Sequence, residues 1–381
     1  VRWRGRQLLA LTWLVALATS CTLVESQEYA DRFEHETLRP VDIRLSIDRP
    51  YQRHRERYVA AVRTALRWFS EWFGPYPGDT IRLSIPGSVE SSPFSPRASR
   101  QLERHIAQKI AADFWKPAAD RNIGAEPSFR DALIGYSVDR LMREAYSGEG
   151  AFELRFFDGA LPWAVRSVRT GLGERGSERA IRAFVTLERY LGWPVVQQSL
   201  AEFRARHVDG DASPARFLAV AGDVSGRDLD WMYTLFDASR SFDYGIERID
   251  VQPAGGSASR VEVIVRRYGD GQFTGSSRPR AGAFESGRGV TVLVSFADGQ
   301  EITEVWDGRD AERRFVYEAA VPVVSAVVDP DNTIAVDSRR ANNVLRMGGA
   351  GGEQTNRVAV TWAVRWAGWL QDRLLVWSAL F

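Results

Sequence analysis

Gln108-Lys109-Ile110-Ala111-Ala112-Asp113-Phe114-Trp115 and Glu126-Pro127-Ser128-Phe129-Arg130-Asp131-Ala132-Leu133 are the two stretches on which the fold turns. The first closes a helix predicted over Ser99 to Trp115, which sets Gln108 and Ala112 one turn apart on one face. Lys109 stands beside Gln108, and eighteen residues separate Ala112 from Asp131. Asp131 itself opens a second predicted helix that runs to Ser147. Upstream, Tyr58, Val62, Ala65, Phe69 and Trp72 recur at helical spacing in a helix of Arg53 to Phe73, stopped by Gly74-Pro75. A strand follows at Thr80 to Ile85. Downstream, helices are predicted over Glu178 to Leu191, Pro194 to His207, Ser213 to Val224 and Asp228 to Ala238.

Around Tyr244 the apolar period changes from about 3.6 residues to about 2. Val261 to Val265, Val290 to Phe296, Glu301 to Trp306, Arg314 to Tyr317, Val323 to Val328 and Thr333 to Val336 read as short strands between Gly, Asp and Pro turns. That spacing predicts a small antiparallel β-sandwich. Gly348 to Gln354 is a linker, and Arg357 to Phe381 reads as a helix carrying Trp362, Trp366, Trp369 and Trp377.

The 381 residues suffice for two compact domains and tails. With 50 basic against 49 acidic residues, the total charge predicts no nucleic-acid partner. One cysteine, Cys21, excludes an intrachain disulfide. The four histidines, His35, His54, His105 and His207, include no pair three to five residues apart, which argues against a histidine-rich metal site. Arg2, Arg4 and Arg6 precede an apolar run from Leu8 to Ala18, the pattern of a secretory signal, with Ala16-Leu17-Ala18 as a cleavage site. The competing explanation is that these residues are the relic of a truncated upstream domain.

The quoted stretches resemble the HEIAHQYW and EPWLDEGL segments of zinc aminopeptidases, and the spacing between them matches. Ala65-Leu66-Arg67-Trp68-Phe69-Ser70-Glu71-Trp72-Phe73-Gly74-Pro75-Tyr76-Pro77 resembles the helix that precedes them. Tyr136-Ser137-Val138-Asp139-Arg140-Leu141-Met142, Thr186-Leu187-Glu188-Arg189-Tyr190-Leu191-Gly192, Asp228-Leu229-Asp230-Trp231, Glu304-Val305-Trp306-Asp307-Gly308 and Val328-Asp329-Pro330-Asp331 follow in the same order. From about Tyr51 to the C-terminus the chain therefore resembles the aminopeptidase N family of gluzincin metallopeptidases. The resemblance implies an α+β fold: a mainly helical thermolysin-like domain at 51–248, a β-sandwich at 249–340, and a linker with a Trp-rich helix at 341–381. Residues 1–21 would be a signal or anchor, and 22–50 a remnant of an N-terminal β-domain or a linker.

The resemblance also implies where the chemistry should lie. Two histidines one turn apart bind zinc, and a glutamate between them is the general base. Those positions fall here on Gln108, Ala112 and Lys109; the third ligand falls on Asp131, and a transition-state tyrosine falls on Ser177. Catalytic zinc takes three protein ligands, which one amide and one carboxylate do not supply. An ammonium about 5 Å from a dication adds roughly 6–7 kcal/mol of repulsion at an effective dielectric near 20. The resemblance thus implies a peptidase homologue without zinc, cofactor or catalytic residues, whose former substrate cleft binds a peptide or protein. A rival expectation is an active metallopeptidase with rearranged ligands, and a third is a decaying gene product.

Further expectations attach to single residues. Lys109 either pairs with Asp131 in the vacated cavity or reaches solvent. His105 reads as a surface or capping histidine, Glu103 and Asp113 as solvated charges, and Ser177 as a helix cap. Glu90 is a weak match to the glutamate that holds a substrate amine. The terminal tryptophans suit either a membrane surface or packing within the protein, and an exported or envelope location is expected, with cytoplasm as the alternative.

Overall fold

The structure, a computed structural model, describes residues 26–85, 100–116, 127–146, 176–206, 212–255, 258–275 and 289–348. Within these, β1 (Ser26–Phe33) pairs antiparallel with β2 (Val41–Asp48), and β2 pairs parallel with β3 (Thr80–Ile85). Val41, Ile43, Leu45 and Ile47 point inward with Ile81 and Leu83 of β3. A parallel pair requires a crossover, and α1 (Arg55–Phe73) supplies it. Tyr58, Val62, Ala65 and Phe69 of α1 are buried. Gly74 at φ 92° ends the helix in a conformation that favours glycine.

Within the 22–50 stretch, expected as a remnant of an N-terminal β-domain or a linker, residues 26–33 and 41–48 are strands in one sheet with β3. Their period-2 apolar row is as regular as any in the β half, so burial on one face fixes them there. The helix expected from Arg53 begins at Arg55, because Arg49–His54, with Pro50 in its first turn, is a 3-10 segment.

The second layer holds α2 (Gln101–Phe114), α3 (Pro127–Ala145), α4 (Gly176–Leu191), α5 (Trp193–Arg206), α6 (Pro214–Ser225) and α7 (Tyr233–Phe236). Its centre is aromatic: Phe184 meets Phe217 at 5.0 Å, Phe236 at 5.3 Å and Phe129 at 5.6 Å between ring centroids. Such edge-on and tilted contacts add to the area the rings bury. The helix expected over Asp228 to Ala238 shrinks to a 3-10 turn, Asp230–Met232, and the four residues of α7. Asp228 accepts a hydrogen bond from the Asp230 amide, which favours a turn, and Leu229, Met232, Leu235 and Phe236 are buried without a full helix.

Two antiparallel sheets follow. One has the order β4 (Tyr244–Gly255), β5 (Ala258–Arg267), β8 (Glu312–Ala319). The other has the order β10 (Val344–Arg346), β9 (Val323–Val328), β6 (Val290–Phe296), β7 (Glu301–Trp306). They face each other through β4, β5, β9 and β10, and bury Val261, Val263, Val292 and Val294. Thr333 to Val336, expected as a strand, pairs with no strand among the described residues. Ile334, Ala335 and Val336 are buried in a turn whose amides at 333 and 334 bond the Asp329 carboxylate.

The helical and β halves share a core. Tyr190 and Trp231 meet the Phe273 ring at 6.0 and 5.0 Å, and Arg179 lies 4.9 Å over Phe242. Among the described residues the chain is a mixed α+β structure of seven α-helices and three small sheets.

Candidate functional site

Helices α2 and α3 are joined by three side-chain contacts. Arg130 donates to the Ala112 carbonyl at 3.4 Å, Trp115 Nε1 donates to Ser137 Oγ at 3.0 Å, and Arg104 pairs with Asp139. Both helices bury an apolar face: Leu102, Ile106, Ile110 and Phe114 on α2, and Phe129, Leu133 and Leu141 on α3. Phe114 meets Phe69 and Tyr76, while Phe129 meets Phe184 and Phe236. This packing turns Gln108 and Lys109 outward, and both are exposed. Ala112 is half-buried where α3 begins, and Asp131 is exposed. The predicted positions thus share one helix pair.

No ion pair joins Lys109 to Asp131. Both heads are solvated, and water removes the need for either to find a partner. Ser177 lies in the first turn of α4. Glu90, Glu126, Cys21 and the terminal tryptophans lie outside the described residues. Among the described residues no group of three or more His, Cys, Asp or Glu gathers at a spacing that could hold a metal ion. The side chains at the α2–α3 positions are an exposed amide, an exposed ammonium, a half-buried methyl group and an exposed carboxylate, a set with no imidazole.

Three polar side chains on α2 differ from expectation. Glu103 is 3% exposed rather than solvated. Arg57 of α1 grips both its oxygens at 2.9 Å, and Arg100 reaches it at 3.1 Å. Burial alone pushes the Glu103 carboxyl up, but the hydrogen bonds from Arg57, its backbone and Arg100 together outweigh it, and its pKa falls below the usual range. Asp113 accepts the Tyr76 hydroxyl at 2.7 Å. Burial, then the Asp113 carboxylate, push the Tyr76 pKa up. His105 is half-buried rather than on the surface, and its Nε2 has no hydrogen-bond partner. Burial, then the charge of Lys109, hold His105 below its ordinary pKa.

Sequence reasoning missed Arg204 on α5, which fixes where α1 and α2 end. Its guanidinium donates to the carbonyls of Phe73 and Pro75, both at 2.8 Å, and of Phe114 at 3.3 Å. It also lies 4.9 Å over the Phe114 ring. A cation at two helix C-termini satisfies orphan carbonyls and faces the negative ends of both helix dipoles. Nothing local in the sequence marks it, since its partners lie about 90 to 131 residues away.

The fold is similar to that of aminopeptidase A from Legionella pneumophila, solved in complex with aspartic acid. The TM-score is 0.54 at 12% identity, over 82% of this chain and 38% of that one. The chain therefore spans under two fifths of the length of that structure, and the likeness concerns a peptidase-like fold. No protein-family model matches the sequence, and no curated protein matches it.

Proposed function

We propose that this chain is a non-catalytic homologue of the aminopeptidase N metallopeptidases, binding a peptide or protein in what is a substrate cleft in intact relatives. One observation carries the reading. At the α2–α3 helix pair, the positions for two imidazoles, a general base and a ligand glutamate hold Gln108, Ala112, Lys109 and Asp131. Lys109 cannot take a proton from water while it is an ammonium, and its charge opposes a dication. A cleft without reagents still offers shape and backbone hydrogen bonds to a chain. The peptidase-like fold supports the cleft; the binding role is an inference from it.

The test is metal content and hydrolysis measured on the same purified chain, followed by binding to a peptide library. Less than a tenth of an equivalent of zinc and no chelator-sensitive cleavage of aminoacyl substrates are expected. Stoichiometric zinc with such cleavage would establish the rival, an active enzyme with rearranged ligands. Export, and membrane contact through the Trp-rich C-terminal stretch, are part of the same proposal. Fractionation of the native host reads them out. Among the described residues no helix is long and apolar enough to cross a membrane.

A further inference from the structure

Residues 329–343 form an irregular segment on the β half that touches the helical half. Arg189 of α4 donates to the Asn332 carbonyl. Arg340 holds Asn332 Oδ1 at 2.7 Å and the Ile334 carbonyl at 3.1 Å. Ser338 bonds the Phe242 carbonyl through both its amide, at 2.9 Å, and its hydroxyl, at 3.0 Å. Phe242 in turn packs under Arg179 of α4. The segment is therefore tied to both halves at once.

Its internal ties run through three buried carboxylates. Asp329 and Asp337 are each 5% exposed, and Asp243, at the entry to β4, is 8% exposed. Asp337 accepts the Arg339 amide and Asn343 Nδ2, both at 3.0 Å, and is in no ion pair among the described residues. Asp243 accepts Asn342 Nδ2 at 2.7 Å, with Arg339 at 3.7 Å and 65% exposed. Two acids thus share one buried corner: burial and their mutual repulsion disfavour ionising both, against the amide donors, which favour the carboxylate form.

We propose that residues 329–343 are a pH-dependent latch between the helical and β halves, closed while Asp337 carries its proton and loosened once it ionises. Every charged or titratable neighbour bears on this. Asp337 faces Asp243, Tyr244 and Arg340, while Asp329 faces Arg340 and, from α4, Arg189, which has Arg143 and Glu188 behind it. Burial, with Asp243 adding to it, lifts Asp337 to about 7 against the Arg339 and Asn343 hydrogen bonds and the Arg340 charge. Burial lifts Asp329 to about 6 despite bonds from Ile334 and Thr333 and the nearby arginines. Both folded-state values lie above the 3.8 of a free aspartate, so the closed segment is most stable at low pH. That stability is lost as pH rises through about 7.

Hydrogen exchange of the full chain, corrected for the intrinsic pH dependence of exchange, tests the latch. Between pH 5 and pH 8 the opening constant of peptides within 329–343 should rise about a hundredfold from Asp337, with about tenfold more from Asp329, levelling off above pH 8. Peptides of β6 should not follow. Asp337→Asn should remove most of this rise, and Asp331→Asn should leave it. Should Asp337→Asn fail to fold, carboxyl-carbon NMR of the wild-type chain decides. An Asp337 midpoint between pH 6 and 8 supports the latch, and one below 5 overturns it. Equal protection of 329–343 at pH 5 and 8, or an undiminished rise in Asp337→Asn, also overturns it.

Discussion

Replacing Glu188 with alanine should destabilise the protein by about 3–4 kcal/mol, more than any exposed ion pair is worth. Glu188 sits on α4 and is the acceptor for three donors from α3. Tyr136 Oη donates to Oε2 at 2.6 Å, Arg140 to Oε1 at 2.5 Å, and Arg143 to Oε2 at 3.3 Å. The side chains of Glu188 and Arg140 are 14% and 15% exposed, and Tyr136 is fully buried. Burial first, then Glu188, push the Tyr136 pKa well above its ordinary value, so the hydroxyl is a donor at all working pH. Arg140 is also held by Glu144 and lies 4.3 Å over the Trp193 ring, which fixes its guanidinium in place.

Removing Glu188 strands the Tyr136 hydroxyl, a loss of about 1–3 kcal/mol, and leaves Arg140 with Glu144 alone. Breaking a buried pair from one side costs about 3–5 kcal/mol. The partial exposure of Arg143 and the surviving Glu144 contact favour the lower part of that range. Tyr136→Phe alone removes one hydrogen bond to a charged group, about 1.5–3 kcal/mol. In the double variant the hydroxyl is no longer stranded, so the cycle should show a coupling of about 1 kcal/mol or more. Urea unfolding reads all four proteins, with the m-value unchanged. A loss under about 1 kcal/mol for Glu188→Ala, or strict additivity with Tyr136→Phe, would refute the claim that this carboxylate joins α3 to α4.

Arg204→Met should cost about 2–3 kcal/mol by unfolding midpoint, because three carbonyls at the ends of α1 and α2 lose a charged donor. Arg204→Lys should fall between the two. Glu103 has a folded pKa below its ordinary 4.5, so the Arg57 clamp contributes stability above that value and loses it as pH falls through the folded pKa. Glu103→Gln should therefore flatten the acid limb of a stability–pH curve; an unchanged limb would mean the clamp is not what sets it. Reinstalling the implied ligands with Gln108→His, Lys109→Glu, Ala112→His and Asp131→Glu should create zinc binding, read as a zinc-dependent rise in melting temperature. No rise would mean that α2 and α3 do not present those positions toward one point.

Much of this structure is legible from local pattern. The period-2 runs at Val290–Phe296, Glu301–Trp306 and Val323–Val328 are strands with the expected ends, because alternation fixes both conformation and the buried face. The helix from Arg55 to Phe73 follows from its apolar spacing and Gly74. The period-2 row of β2 is equally visible, but a short strand has no meaning until its partners are known, and one of the two, β3, lies beyond α1. At Thr333 to Val336 the reverse holds: an apolar run looked like a strand, and the Asp329 carboxylate takes the amides at 333 and 334 instead.

The candidate site divides along the same line. The identity of Gln108, Lys109, Ala112 and Asp131, and so the poverty of metal donors, is a property of the sequence alone. That Lys109 and Asp131 are solvated rather than paired, and that Glu103 is clamped rather than solvated, depends on which helix faces the other. Local sequence determines periodicity and chemistry because both act over a few bonds. Burial, and with it the Glu188 and Arg204 contacts, comes from residues tens to more than a hundred positions apart, and only the packed chain brings those together.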